Sequence, residues 1–245
     1  MDTKNFDKWA KFYDIIYKNQ KEDIKFYKKE AKKAKGRVLE VACGTGRIYL
    51  ELLKERIDVY GIDISKALLD VLRQKAERLG LVPKVYQGDM RNFNLKKKFS
   101  LIIVPFRSFL HNLTVEDQLT TLKNLRKHLK PKGRLILNFF FPDPEVIVNY
   151  KKGNRKIIKT NKGKFYFINK TRFIDEPNQI VEFSEVLRKG SRTIYKNKFQ
   201  IAFIYKREFE LLLRLSGFKK WRVYGGFNYK PLNSYKQEMI WIIEK

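Results

Sequence analysis

Apolar positions along the chain alternate between helical and strand spacing, and these changes mark its elements. Over residues 21–34, Ile24, Tyr27, Ala31 and Ala34 fall on one helical stripe, which Gly36 ends. Arg37–Cys43 is a short apolar run, followed by a Gly-Thr-Gly turn and a helical pattern over 47–55. A second strand, 58–62, ends at Asp63, and Ser65 caps a helix to Leu79 with Leu68, Leu72, Ala76 and Leu79 aligned. Gly80 is its stop. Strands are expected at 84–87 and 99–104. Thr114 then opens a T-x-x-D capping pattern for a helix carrying Leu119, Leu122, Leu125 and Leu129. The sequence KPKG breaks that helix before a fifth strand at 134–140.

Strands alternating with helices over 37–141 predict a doubly wound, mostly parallel sheet. The pattern then changes. Residues 155–205 hold three aromatic β-type runs, KFYFINKTRFI, QIVEFSEVLR and TIYKNKFQIAFIY, separated by turns at 175–178 and 189–191. They are expected to form an antiparallel insertion after the fifth strand. A helix at 206–216, with Phe209, Leu212 and Leu213 inward, returns the chain to the main sheet, which strands at 219–224 and 238–243 close antiparallel. The expected division is 1–145 with 206–245 as the main domain and 146–205 as a lid or dimer contact.

Composition narrows the classes. With 43% apolar residues over 245 positions the chain can bury a sizeable core, and its single cysteine excludes a disulfide framework. No metal site is expected. The opening residues lack a signal-peptide pattern, and no apolar run is long enough to cross a bilayer, so a cytoplasmic protein without a membrane partner is expected. The net charge is +28, and it is uneven: nine basic residues lie in 151–172 and seven in 186–207, without an acid in either stretch. Such a field attracts phosphates, nucleic acid or a lipid surface; a solvated lysine-rich surface is the plainer reading.

The chemistry concentrates in VLEVACGTG followed by VYGIDIS. Gly44 and Gly46 allow a ligand to approach the backbone after the first strand, and Asp63, 17 positions beyond Gly46, can accept hydrogen bonds from vicinal ribose hydroxyls. An ordinary tight turn, with Asp63 as a helix N-terminal charge, is the alternative. Tyr49 stands where a dinucleotide binder needs a small residue, which disfavours NAD and FAD, and the P-loop Lys-Ser/Thr pair is missing.

These runs, with QGDMRNF downstream, resemble the ordered motifs of class I S-adenosylmethionine-dependent methyltransferases of the small-molecule type. The resemblance implies a seven-stranded sheet with S-adenosylmethionine as cofactor and S-adenosylhomocysteine as product. It places Glu40 near the methionine end and Cys43, Gly44, Thr45 and Gly46 under the cofactor. Asp63, with Ile64 beside it, would hold the ribose, and Asp89 and Met90 the adenine. FYDIIY is similar to the family's N-terminal segment, which would set Tyr13 and Tyr17 over the cofactor; aromatic core packing is the alternative. The loop VPFRSFLHNL would lie beside the methyl group, making Phe106, Arg107, Ser108 and His111 candidates. A neutral His111 imidazole could take a proton from an amine or hydroxyl as it is methylated; otherwise it is a structural histidine before Thr114. His128, late in its helix, is expected to meet that helix's last carbonyls. By resemblance to amino-sugar and glycine-type N-methyltransferases, Tyr224, Phe227 and Tyr229 would line the acceptor pocket.

The family's [DN]-P-P-[YF] tetrad is replaced by Val104-Pro105-Phe106-Arg107. The expected acceptor is a small molecule with an N or O nucleophile, anionic acceptors included. An RNA- or ribosome-directed enzyme using the basic insertion ranks second. A non-catalytic cofactor-binding protein is a further alternative, and a homodimer is an open expectation.

Overall fold

The computed structural model describes residues 4–142, 153–160 and 163–245. Two short helices, α1 (Lys4–Trp9) and α2 (Tyr13–Ile16), precede α3 (Glu22–Lys33). Five strands then alternate with helices: β1 (Val38–Val41), α4 (Tyr49–Lys54), β2 (Val59–Asp63), α5 (Lys66–Glu77), β3 (Lys84–Gln87), β4 (Phe99–Val104), α6 (Val115–His128) and β5 (Leu129–Phe140). After the insertion come α7 (Lys206–Leu215), β10 (Lys220–Gly225) and β11 (Glu238–Glu244). The seven-stranded sheet runs β10-β11-β5-β4-β1-β2-β3, parallel from β5 to β3, with β11 antiparallel to β5. β1, β2 and β4 are nearly continuous apolar runs because helices cover both faces of the sheet.

The expected caps form. Ser65 accepts from the Leu68 amide at 3.2 Å and Thr114 from the Asp117 amide at 3.1 Å. His128 Nδ1 pairs with the Asn124 carbonyl at 2.9 Å, within the last turn of α6. The KPKG segment differs from expectation. Leu129 already pairs with Phe99, the register slips, and pairing resumes at Arg134 opposite Leu101. Lys132 takes a left-handed φ of 60°, so the segment is a bulge inside β5 rather than a loop before it.

The insertion is a separate antiparallel sheet, β6-β7-β8-β9, of four strands where three runs were expected. Its strands are β6 (Asn154–Thr160), β7 (Gly163–Asp175), β8 (Ile180–Lys189) and β9 (Arg192–Ala202). The basic residues Lys151, Lys152 and Lys162 and part of the 146–205 span lie outside the described residues. Alternation along the strands sends Phe165, Phe167, Leu187 and Tyr195 inward, where they pack with Trp9, Ile16 and Leu68. Lys156, Lys170, Arg188, Lys196 and Lys198 are exposed.

A candidate methyltransferase site

β1 and β4 lie side by side at the point where the strand order reverses, and a cavity of about 210 Å³ opens at their carboxyl ends. Its floor is Val41, Ala42 and Gly44. At Gly46 the backbone has φ +85°, and a Cβ would stand 2.8 Å from Leu72 Cγ, so glycine is required there by both conformation and packing. Gly44, with φ +53°, faces open space. Its amide donates to Asp63 Oδ2 at 2.8 Å, and the Ser65 amide donates to Oδ1 at 2.9 Å. Burial pushes the Asp63 carboxyl up to about 6, against the pull of these two amides.

Asp89 and Met90 line the same cavity after β3. Burial works against ionisation of Asp89, but the Arg91 guanidinium 2.6 Å away outweighs it and holds the carboxyl below its usual range. Met90 Sδ accepts from Asn112 Nδ2 at 3.2 Å. Over the turn sit Tyr13 and Tyr17, with ring centroids 4.7 Å apart, and Tyr17 meets Phe106 edge-on at 5.1 Å. Three polar contacts tie this N-terminal segment down. Thr45 Oγ1 donates to Asp14 at 2.7 Å, Lys75 reaches Asp14 at 2.9 Å, and Ser65 Oγ donates to Asp7.

The loop after β4 is strained. Phe106 and Arg107 take left-handed φ values of 56° and 65°, as does Ala42 at 58°, and all three line the cavity. Asn138 pins this loop: its Oδ1 accepts from the Phe106 amide at 2.9 Å and from Tyr27 Oη at 2.8 Å, and its Nδ2 donates to Glu238 at 2.7 Å. Arg107 is ion-paired with Glu238 at 2.8 Å and lies over the Phe140 ring. Ser108 Oγ donates to the Pro105 carbonyl at 2.7 Å. His111 packs against Phe6 and Phe199, and its Nδ1 lies 3.1 Å from the Gln200 carbonyl. A carbonyl can only accept, so Nδ1 carries the hydrogen and Nε2 keeps a lone pair. Burial lowers the imidazole to about 4, so it is neutral at physiological pH.

Tyr13, Tyr17, Gly44, Asp63, Ile64, Asp89, Met90, Phe106, Arg107, Ser108 and His111 thus share one cavity. Glu40, Cys43, Thr45 and Gly46 lie behind its floor. Glu40 is 2% exposed, its Oε2 has no partner, and burial raises it well above the usual carboxylate range. Tyr224, Phe227 and Tyr229 are misplaced by the sequence reading. Phe227 and Tyr229 stack on Phe26 of α3, Tyr224 meets Tyr229, and Tyr229 Oη donates to Glu30, away from the cavity. The Gly-rich tail serves to dock α3 instead.

The sequence reading also missed Phe6, Trp9, Asn138, Asn169, Phe183, Glu185 and Phe199. Glu185 had a legible signal: in QIVEFSEVLR it falls in phase with the inward Val181, Phe183 and Leu187. Among the described residues, no group of His, Cys, Asp and Glu could hold a metal ion, and no helix is long and apolar enough to cross a membrane.

Residues 38–133 match the family model described as a methyltransferase domain. Over these residues the chain carries a methyltransferase domain, in a fold shared with S-adenosylmethionine-dependent methyltransferases. It is 24% identical over 208 residues to a cypemycin N-terminal methyltransferase of Streptomyces sp., covering 85% of this chain and 82% of that protein. It is 33% identical over 107 residues to the dTDP-3-amino-3,4,6-trideoxy-alpha-D-glucopyranose N,N-dimethyltransferase of Streptomyces venezuelae, a match spanning 43% of this chain and 44% of that enzyme. In fold, this chain superposes on the CcbJ methyltransferase from Streptomyces caelestis with a TM-score of 0.80 at 16% identity, over 99% of this chain and 98% of that one. A methyltransferase structure from Clostridium acetobutylicum gives 0.78 at 18% identity, covering 98% of each chain.

Proposed function

We propose that this enzyme methylates an amine nitrogen of a small-molecule acceptor. The observation that carries this reading is the charge of the cavity wall. Asp63, Asp89 and Glu185 line it, while its basic side chains are a neutral His111 and an Arg107 paired with Glu238. Such a wall opposes an anionic acceptor despite the +28 charge of the chain, most of which faces solvent. Of the two relatives named above, one is by name an N,N-dimethyltransferase and the other an N-terminal methyltransferase, names compatible with an amine acceptor. Inward placement of Phe165 and Phe167 leaves the basic outer face of the insertion with few rings on which RNA bases could stack, which weighs against the RNA reading.

The cofactor fits the residues present. Gly44 leaves open space above the floor, Asp63 has lone pairs beyond those used by two amides, and the partnerless Glu40 lies beneath. On this reading Asp63 accepts from the ribose hydroxyls, Asp89 and Met90 border the adenine, and Tyr13, Tyr17 and Phe106 cover the methionine end. Bound there, S-adenosylmethionine supplies an electrophilic methyl group and a neutral thioether leaving group. The protein contributes alignment and exclusion of water. His111 Nε2 accepts one N–H of the acceptor and so aims the nitrogen lone pair. An imidazole lowered to about 4 orients a proton better than it stores one.

The test is transfer of labelled methyl from S-adenosylmethionine into a panel of primary and secondary amines, matched alcohols, matched carboxylates and total RNA. Label entering amines is expected. Label entering RNA or carboxylates in preference would overturn the reading.

A further inference from the structure

Glu185 is the anomaly of the insertion sheet. It is 1% exposed, in one of the two middle strands, and is the one buried charged residue among the described residues of that sheet. Oε2 accepts from Trp9 Nε1 at 2.9 Å and from Tyr195 Oη at 3.2 Å; Oε1 accepts from Tyr17 Oη at 3.1 Å. These three donors are neutral. Among the described residues no cation contributes to its environment, in a chain with 54 Lys and Arg against 26 Asp and Glu. Asp23, Glu30 and Asp89 have such partners in Arg47, Arg134 and Arg91, and the two other buried acids without an ion pair among the described residues, Glu40 and Asp63, lie at the Gly44 turn rather than in the insertion. A buried, uncompensated carboxylate is costly, and burial raises Glu185 above its ordinary value even with three donors. Beside it in register on β7 is Asn169, which also lines the cavity and whose buried Oδ1 has no partner. Four carboxylate lone pairs less three donors leave one on Oε1, and Asn169 adds another acceptor. What the wall lacks is a cationic donor.

We infer that Glu185, with Asn169 beside it, is the specificity site that recognises the acceptor's amine in its ammonium form. This rests on the amine reading proposed above and extends it to the insertion sheet. An alkyl ammonium carries a full charge at neutral pH and up to three donors, matching the two acceptor atoms offered here. Before transfer it gives one proton to the Glu185 carboxylate, which frees the nitrogen lone pair that attacks the methyl group. The aromatic rings of Trp9, Tyr17 and Phe199 border the same space and favour a cation over a neutral alcohol. A carboxylate-bearing acceptor would meet like charge. Tyr17 joins the two halves of the site, since it touches both Glu185 and Phe106 of the loop beside the cofactor pocket.

The experiment is calorimetric titration of the full chain, saturated with S-adenosylhomocysteine, with phenethylamine, 2-phenylethanol and phenylacetate at pH 7. Wild type is expected to bind the amine at least tenfold more tightly than the alcohol, with the acid weakest. Glu185→Gln should erase that preference while S-adenosylhomocysteine affinity stays within about twofold. Asn169→Asp, which keeps the side-chain shape, should strengthen the preference several-fold and decides the matter if Glu185→Gln fails to fold. An unchanged preference in the folded variants, or no amine preference in wild type, overturns the inference. So does a Glu185→Gln loss confined to the sulfonium cofactor, with S-adenosylmethionine weakened and the amine unaffected, which would make Glu185 a cofactor contact. Amine binding without methyl transfer to any amine would instead overturn the proposed reaction and leave the recognition site standing.

Discussion

Asp63→Asn separates what the protein gains from this carboxylate and what it loses. Burial lifts Asp63 from 3.8 to about 6, so the folded state binds its proton more tightly than the unfolded state does. At about 1.4 kcal/mol for each tenfold change in proton affinity, the ionised form costs the fold about 3 kcal/mol above pH 6. That cost declines as pH falls through the window from 6 to 3.8 and is gone below it. Asparagine does not titrate and avoids it. Its single oxygen can accept from only one of the Gly44 and Ser65 amides, and stranding the other costs about 1–3 kcal/mol at any pH. Without ligand, the variant should therefore melt at or above wild type at pH 8 and below it at pH 4. The difference should swing by about 3 kcal/mol, or roughly 6–12 °C for a chain of this size. With ligand the order reverses, because losing a charged acceptor should weaken S-adenosylhomocysteine binding roughly ten- to a hundredfold. Thermal melts at three pH values and one titration suffice. A melting difference that ignores pH, or an unaltered ligand affinity, refutes the reasoning.

Other outcomes follow from the same geometry. His111→Asn should lower kcat about ten- to a hundredfold. In wild type, the kcat–pH profile should lack a limb near 6.5, because the folded imidazole is lowered to about 4; its contribution to stability is lost as pH falls through that window, which melts across pH 4–7 would show. Tyr229→Phe removes the hydroxyl that donates to buried Glu30 and should cost about 1–2 kcal/mol in urea unfolding with kcat and KM unchanged. An effect on KM would return Tyr229 to the acceptor pocket.

How legible each feature was depends on the range of the contacts that make it. Ser65 and Thr114 could be read as caps because a cap is settled within four residues. The Gly44–Asp63 pair could be read because a parallel β1–β2 unit fixes where both strands end. Trp9 and Glu185, 176 positions apart, meet only because two separate elements dock, and the phase of one strand was the sole local trace. Asn138 has no local mark of its role, which depends on Tyr27, 111 positions away. The tail tyrosines were misread for the converse reason: aromatic rings in a Gly-rich loop suit a pocket or a helix face equally, and local sequence does not say that α3 lies opposite. The bulge in β5 was masked by proline and glycine, which signal a turn whether or not the strand has already begun.

The meeting of Trp9 with Glu185 has a consequence for the order in which the molecule comes into being. At about 5–20 residues per second, a ribosome delivers Glu185 some ten to thirty-five seconds after Trp9. In that interval β1 to β5 and their helices are already made, while the indole N–H of Trp9 and the hydroxyl of Tyr17 still await their acceptor. On the proposed assignment of the two walls, the nascent chain thus has the side that faces the methyl donor before it has the side that faces the methyl recipient.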